Sequence, residues 1–227
     1  MADIRIHTLK LGPYRGYLIQ GDKTVMIDGG FPERAKDFLD ALDKLSLRPD
    51  EIKLIVLTHG HRDRIGSVRI IKNITGAKVA LHREERERLE NSLKPEPPAV
   101  TIRERFLAGV MKRFLPPIDI PAVEVDIVLE DRAFSLAEYG IPGRILPTPG
   151  HSRGSVSVLL ETGDAFVGNL AMNALPFHLR PGFPIFADDI EQLRESWKLL
   201  LSEGAKTVYP AQGRPFPINA IRKVLRQ

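Results

Sequence analysis

The most constraining stretch is Ile52-Lys53-Leu54-Ile55-Val56-Leu57, which runs without a break into Thr58-His59-Gly60-His61-Arg62-Asp63-Arg64. A dense aliphatic run of this length reads as a buried strand. Its abrupt change to imidazole, carboxylate and guanidinium places a cluster of reactive side chains at a strand end. The segments around it supply partners. Residues 4–9 alternate as a strand, and 16–19 and 24–27 form two short strands around the Gly21-Asp22 turn. Asp28-Gly29-Gly30 breaks the second of these. Residues 33–45 carry Ala35, Phe38, Leu39, Leu42 and Leu45 at helical spacing. A helix from about 66 to 73, a buried strand at 78–81 and a charged helix at 82–93 follow.

After residue 122 the pattern turns strand-rich: 127–130, 143–146, then 155–161 and 164–167 as a hairpin-like pair around Thr162-Gly163. Residues 190–202 form a helix with Leu193, Trp197, Leu200 and Leu201 on one face. A short strand at 207–209 ends at Pro210-Ala211-Gln212-Gly213, and 218–225 is a last helix. Two sheets between helices, an α/β arrangement, account for this order. Residues 95–122 interrupt it as a helical insertion. Ile102, Phe106, Val110, Met111 and Phe114 lie on one side, bounded by prolines, so the insertion packs on the core or covers a site. The whole of 1–227 is expected to form one domain.

Composition narrows the chemistry. The 227 residues include no cysteine, which removes disulfides and thiolate ligands, so a transition metal would be held by His, Asp, Glu or weaker oxygen donors. Lys and Arg number 33 against 29 Asp and Glu, a net charge of +4 without a basic run, so no nucleic-acid partner is expected. Neither a signal-type N-terminus nor a membrane-length apolar stretch is present, and the expectation is a cytoplasmic protein without a membrane partner. Five Asn and four Gln, no Cys and many charges fit a heat-adapted source.

His59 and His61 leave the strand end two residues apart and can converge on one ion. A lone His-x-His is ordinarily two unrelated histidines. A third histidine in a Gly-flanked turn, Pro149-Gly150-His151-Ser152, changes the weighting, since three imidazoles leave a fourth position open as catalytic sites require. Asp63 is placed to bind a second ion or to orient a water and accept its proton. His7 reads as a strand residue, His82 as a solvated or capping residue, and His178 as a loop residue that could face a substrate.

These residues resemble the metallo-β-lactamase superfamily. The resemblance rests on five motifs in order: Ile27-Asp28-Gly29-Gly30, Leu57 to Asp63, Thr148-Pro149-Gly150-His151-Ser152, Phe166-Val167-Gly168-Asn169-Leu170 and Tyr209-Pro210-Ala211-Gln212-Gly213. It implies an αββα sandwich with a metal site at one edge between the sheets. It also implies that His59, His61 and His151 hold the first metal. At the second position the family pattern is broken: Arg64 and Gln212 stand where most members have His, and Asn169 stands where they have a bridging Asp. Arginine is permanently positive and cannot ligate a cation. Asn169 and Gln212 therefore remain as weak ligands at most.

The resemblance so modified implies one divalent ion, zinc with iron or manganese as alternatives, and a mononuclear metal-dependent hydrolase. Asp63 would be its catalytic residue, and the substrate a small-molecule ester, thioester, lactone or phosphoester. The alternative is a catalytically inactive binding protein on the same fold. A homo-oligomer is compatible with either.

Overall fold

The computed structural model describes residues 4–90, 120–173 and 181–225. Two six-stranded sheets lie face to face. The first runs in chain order: β1 (Arg5–Leu11), β2 (Tyr14–Gln20), β3 (Thr24–Ile27), β4 (Ile52–Val56), β5 (Lys78–His82) and β6 (Ile127–Leu129). Its first three strands pair antiparallel and the rest parallel. The second sheet orders β12 (Phe216–Pro217), β11 (Thr207–Gln212), β10 (Asp164–Met172), β9 (Val156–Leu160), β8 (Gly143–Pro147) and β7 (Phe134–Ser135). The helices are α1 (Ala35–Leu45), α2 (Arg62–Ile65), α3 (Val68–Thr75), α4 (Arg86–Glu90), α5 (Ile190–Ser202) and α6 (Asn219–Val224).

Three apolar layers separate four layers of structure. Because strand side chains alternate between faces, each aliphatic strand feeds two layers at once. Leu54 and Val56 of β4 point between the sheets with Tyr17, Val25, Val158 and Phe166. Ile55 and Leu57 point the other way, onto Phe38 and Leu42 of α1 and Val68 and Ile71 of α3. On the far side, Val167 and Val208 meet Leu193, Trp197 and Leu200 of α5 and Ile221 of α6. This is the αββα sandwich, and it explains why residues 52–57 carry no solvent face apart from Lys53.

Several elements depart from their sequence reading. β10 continues to Met172 rather than stopping at Val167, because a register shift at Gly168, with φ +54°, lets the strand bend and go on. β7 and β12 have two residues each, too short for an alternation to register. The charged segment after β5 opens as a 3-10 turn at Arg83–Glu85 before α4. His82 is buried; it caps that turn by accepting the Glu84 N–H, which leaves no solvated role. The insertion read at 95–122 falls outside the described residues up to 119, and so does His178.

Gly168 also sets the distance between the sheets where the site lies. A Cβ there would stand 2.3 Å from Thr58 Oγ1. Gly168→Ala is expected to lower unfolding free energy by about 2–4 kcal/mol, combining left-handed backbone strain with overpacking. Equilibrium urea denaturation of the variant beside the parent checks this.

Candidate metal centre

The sheets meet at Thr58, just past the end of β4. Its N–H and hydroxyl both donate to the Asp28 carboxylate, at 2.8 and 2.9 Å. Its carbonyl accepts the N–H of Val156, the first residue of β9, at 2.8 Å. With its one proton given to Asp28, Thr58 Oγ1 can only accept from His59 Nδ1, 3.1 Å away. That hydrogen bond leaves the His59 lone pair on Nε2. His151, in the turn between β8 and β9, is fixed likewise: Nδ1–H donates to the Phe186 carbonyl at 2.7 Å, and Nε2 is left to face inward. His61 caps the start of α2 and turns its Nδ1 to within 3.1 Å of His151 Nε2.

Among the described residues, these three form the one group of His, Asp and Glu side chains whose ligand atoms converge, all within 4.8 Å of one another. All three are buried. The observed 3.1 Å compares with about 3.3 Å for two imidazole nitrogens sharing one tetrahedral ion at about 2.05 Å. The donor set fits a borderline divalent cation.

Arg64 lies beside this set, with 0% of its surface exposed. Its Nη2 donates to Asp63 Oδ2 at 2.7 Å and to Asn169 Oδ1 at 3.3 Å. Nη1 reaches the Arg15 carbonyl at 3.4 Å and lies 3.6 Å from Asp28 Oδ2. The guanidinium stands 4.9 Å from the centroid of the Tyr14 ring. Asn169 turns its amide nitrogen to Asp63 Oδ2, at 3.2 Å, and toward the Nε2 atoms of His59 and His151, each 3.5 Å away. Asp63 Oδ1 lies 4.0 Å from His59 Nε2. Gln212, at the end of β11, is half-buried, and among the described residues no hydrogen bond joins its side chain to the histidines.

The family model of the metallo-beta-lactamase superfamily matches residues 11–212. This chain belongs to that superfamily. It is 29% identical over 201 residues to the "Probable metallo-hydrolase" of Methanocaldococcus jannaschii, covering 85% of this chain and 84% of that protein. Among solved structures it resembles the B3 metallo-beta-lactamase BLEG-1, with TM-score 0.70, 22% identity, and coverage of 96% and 97% of the two chains. It also resembles a protein crystallised in a di-iron-bound form, with TM-score 0.67, 24% identity, and coverage of 96% and 98%. Together with the convergent histidines, membership makes this a metallo-hydrolase-type chain whose triad could hold a metal. Among the described residues no helix is long and apolar enough to cross a membrane.

Electrostatics prepare the ligands. Burial, then the neighbouring histidines, holds His59 well below the ordinary imidazole range. Burial and His151 bring His61 down to about 3. Burial likewise lowers His151, so all three offer lone pairs at neutral pH. Burial alone would raise Asp63, but the Arg64 charge outweighs it and brings the carboxyl to about 2. Burial pushes Asp28 up to about 6 against the opposing pull of Arg64.

Of the residues named from the sequence, the structure brings together His59, His61, His151, Asp63 and Asn169, and leaves Gln212 without a hydrogen bond to the histidines among the described residues. Sequence reading missed Thr58 as an orienting group, the Phe186 carbonyl and Glu85. Glu85 is a buried carboxylate that accepts the N–H groups of Gly60 and Gly154, at 3.2 and 3.3 Å. Only the burial of Glu85 distinguishes it from the charged residues around it, and burial has no local signal in a segment reading Arg-Glu-Glu-Arg-Glu-Arg.

The metal-free protein carries a pH signature. The unfolded chain protonates these histidines near 6.5, and the folded one holds all three lower, His59 well below that and His61 at about 3. Their stabilising contribution is therefore present above about pH 6.5 and is lost as pH falls. Asp63 adds to the loss below about pH 4, its unfolded range. Asp28, raised to about 6, acts in the opposite sense, since its contribution is present at low pH and lost as pH rises through 6. Three histidines outweigh one carboxyl, and each net proton contributes at most about 1.4 kcal/mol per pH unit. The melting temperature of metal-stripped protein is expected to fall steadily from pH 6.5 to 4. A flat profile would contradict the buried neutral triad.

Proposed function

We propose that this chain is a metal-dependent hydrolase with a single resident ion, held by His59 Nε2, His61 Nδ1 and His151 Nε2. The carrying observation is the buried Arg64 guanidinium, bonded at 2.7 Å to Asp63 Oδ2 and at 3.3 Å to Asn169 Oδ1. These two oxygens would be donors to a second cation, and a permanent positive charge already satisfies both. A di-iron-bound form is described for one protein of similar fold. The Arg64 contacts argue for a different occupancy here, with Asn169 and Gln212 at most weak ligands.

Zinc is the proposed ion, with iron or manganese compatible with three imidazoles. When bound it supplies Lewis-acid polarisation of the substrate and a lowered pKa for the attacking water. The residues do the rest. Asp63 has Oδ2 tied to Arg64 and Asn169, so Oδ1 is the atom left to accept a hydrogen bond from that water and orient its attack. The Asn169 amide nitrogen, facing the same space, donates to the substrate or to the developing oxyanion. The proposed substrate is a small-molecule ester, thioester, lactone or phosphoester. The near-balanced charge of +4 supports neither nucleic acid nor an anionic membrane surface as partner. The three altered second-site positions equally suit a non-catalytic binding protein, which turnover would exclude.

Protein purified without added metal and then reconstituted is expected to hold about one equivalent of ion per chain, and His61→Ala close to none. Two equivalents in the parent would overturn the single-ion reading. Arg64→His combined with Asn169→Asp and Gln212→His is expected to take up about one ion more. On a panel of ester, thioester, lactone and phosphodiester substrates, the reconstituted protein is expected to turn over at least one. Asp63→Asn should lower kcat on it about 100-fold or more. No metal-dependent turnover on any of them would favour the binding protein.

A further inference from the structure

Glu85 ends the 3-10 turn after β5 and is 1% exposed. Its two carboxylate oxygens go to two different loops. Oε2 accepts the N–H of Gly60, the residue between His59 and His61. Oε1 accepts the N–H of Gly154, three residues beyond His151. The first loop leaves β4 in one sheet, and the second joins β8 to β9 in the other. One side chain thus ties both halves of the ligand set across the sandwich. Arg88 Nε, 3.6 Å from Oε2, supplies counter-charge.

The packing around this carboxylate is close on both sides. A Cβ on Gly60 would stand 2.8 Å from Glu85 Oε2, and a Cβ on Gly154 would stand 2.6 Å from Glu85 Cγ. Distances this short leave no room for a larger residue at either position without moving Glu85. Both glycines are therefore matched to Glu85, and their backbone N–H groups, out of reach of water, depend on it as acceptor.

We propose that Glu85 is a positioning residue of the metal centre: its carboxylate sets the separation of the two ligand loops, so that His59, His61 and His151 converge before an ion arrives. This rests on the reading of those histidines as the ligand set. An ion binding to a preset triad need not order the loops, so the effect appears in affinity and ligand-field geometry. Glu85 itself touches neither ion nor substrate.

The test is titration of metal-stripped protein with cobalt(II), followed by its visible ligand-field absorption, on the parent, Glu85→Gln, Glu85→Ala and Asp126→Asn. Asp126 is the control: its carboxylate also accepts a backbone N–H, that of Val79, at 2.8 Å, but it pairs with Lys72 on the outer side of the first sheet. Glu85→Gln keeps the shape and one acceptor, and is expected to weaken cobalt binding about tenfold. Glu85→Ala should weaken it up to about 100-fold, with an altered spectrum. Asp126→Asn should lower only the melting temperature of the metal-free protein. Unchanged cobalt affinity and spectrum in both Glu85 variants would overturn the assignment while leaving the metal reading intact. A parent that binds no cobalt would overturn the metal reading, and this inference with it.

Discussion

The site depends on a single junction, the contact of Thr58 with Asp28. Both Thr58 donors end on that carboxylate, and the Thr58 carbonyl receives the first N–H of β9. This residue is therefore hydrogen-bonded to both sheets. Asp28 itself has φ +60°, an unusual backbone for a residue with a side chain. The strain is tolerated because the carboxylate gains three polar partners in Thr58 N, Thr58 Oγ1 and the Arg64 charge. The tautomer of His59 follows from the same arrangement, since a hydroxyl with its proton committed can only accept from Nδ1. A contact between two strand ends thus decides which imidazole nitrogen is free for an ion.

Arg64 is the second constraint. A guanidinium removed from water is tolerable only where anions and carbonyls satisfy it. Here Asp63, Asp28, Asn169 and the Arg15 carbonyl surround its two terminal nitrogens, with the Tyr14 ring against its face, while Nε has no hydrogen-bond partner among the described residues. The dependence is mutual. Asp63 stays ionised although buried because Arg64 is beside it, and the Asn169 amide is turned by the same cation. A permanent positive charge is thus built into the chain beside the histidines, and the Asp63 and Asn169 oxygens are aligned toward it.

How much could be read in advance differs by element. The strands of the first sheet were readable because aliphatic runs such as 52–57 have no alternative to burial on both faces. α1 and α5 were readable because Phe38 and Leu42, or Leu193, Trp197 and Leu200, recur at helical period. β7 and β12 were not, since two residues cannot display a period. The far half of β10 was hidden by Gly168 and Asn169, which look like a strand end locally but form a bend in a strand that continues. Of the site, His59, His61, His151 and Asp63 stand in short Gly-rich turns after strands, where imidazoles in sequence order point to convergence. The geometry of Arg64 and the burial of Glu85 had no such marker.

The sequence by itself determined the αββα layering, the superfamily and the three imidazoles, because hydrophobic period and motif order are local properties of a chain. The tertiary structure alone decided which nitrogen His59 and His151 present, that the Arg64 guanidinium bonds the Asp63 and Asn169 oxygens, and that Glu85 joins the two histidine loops. Each of these depends on groups far apart in sequence, from Thr58 with Asp28 to Glu85 with Gly154. Hydrogen-bond direction and desolvation arise only when folding brings such groups together and removes water from between them.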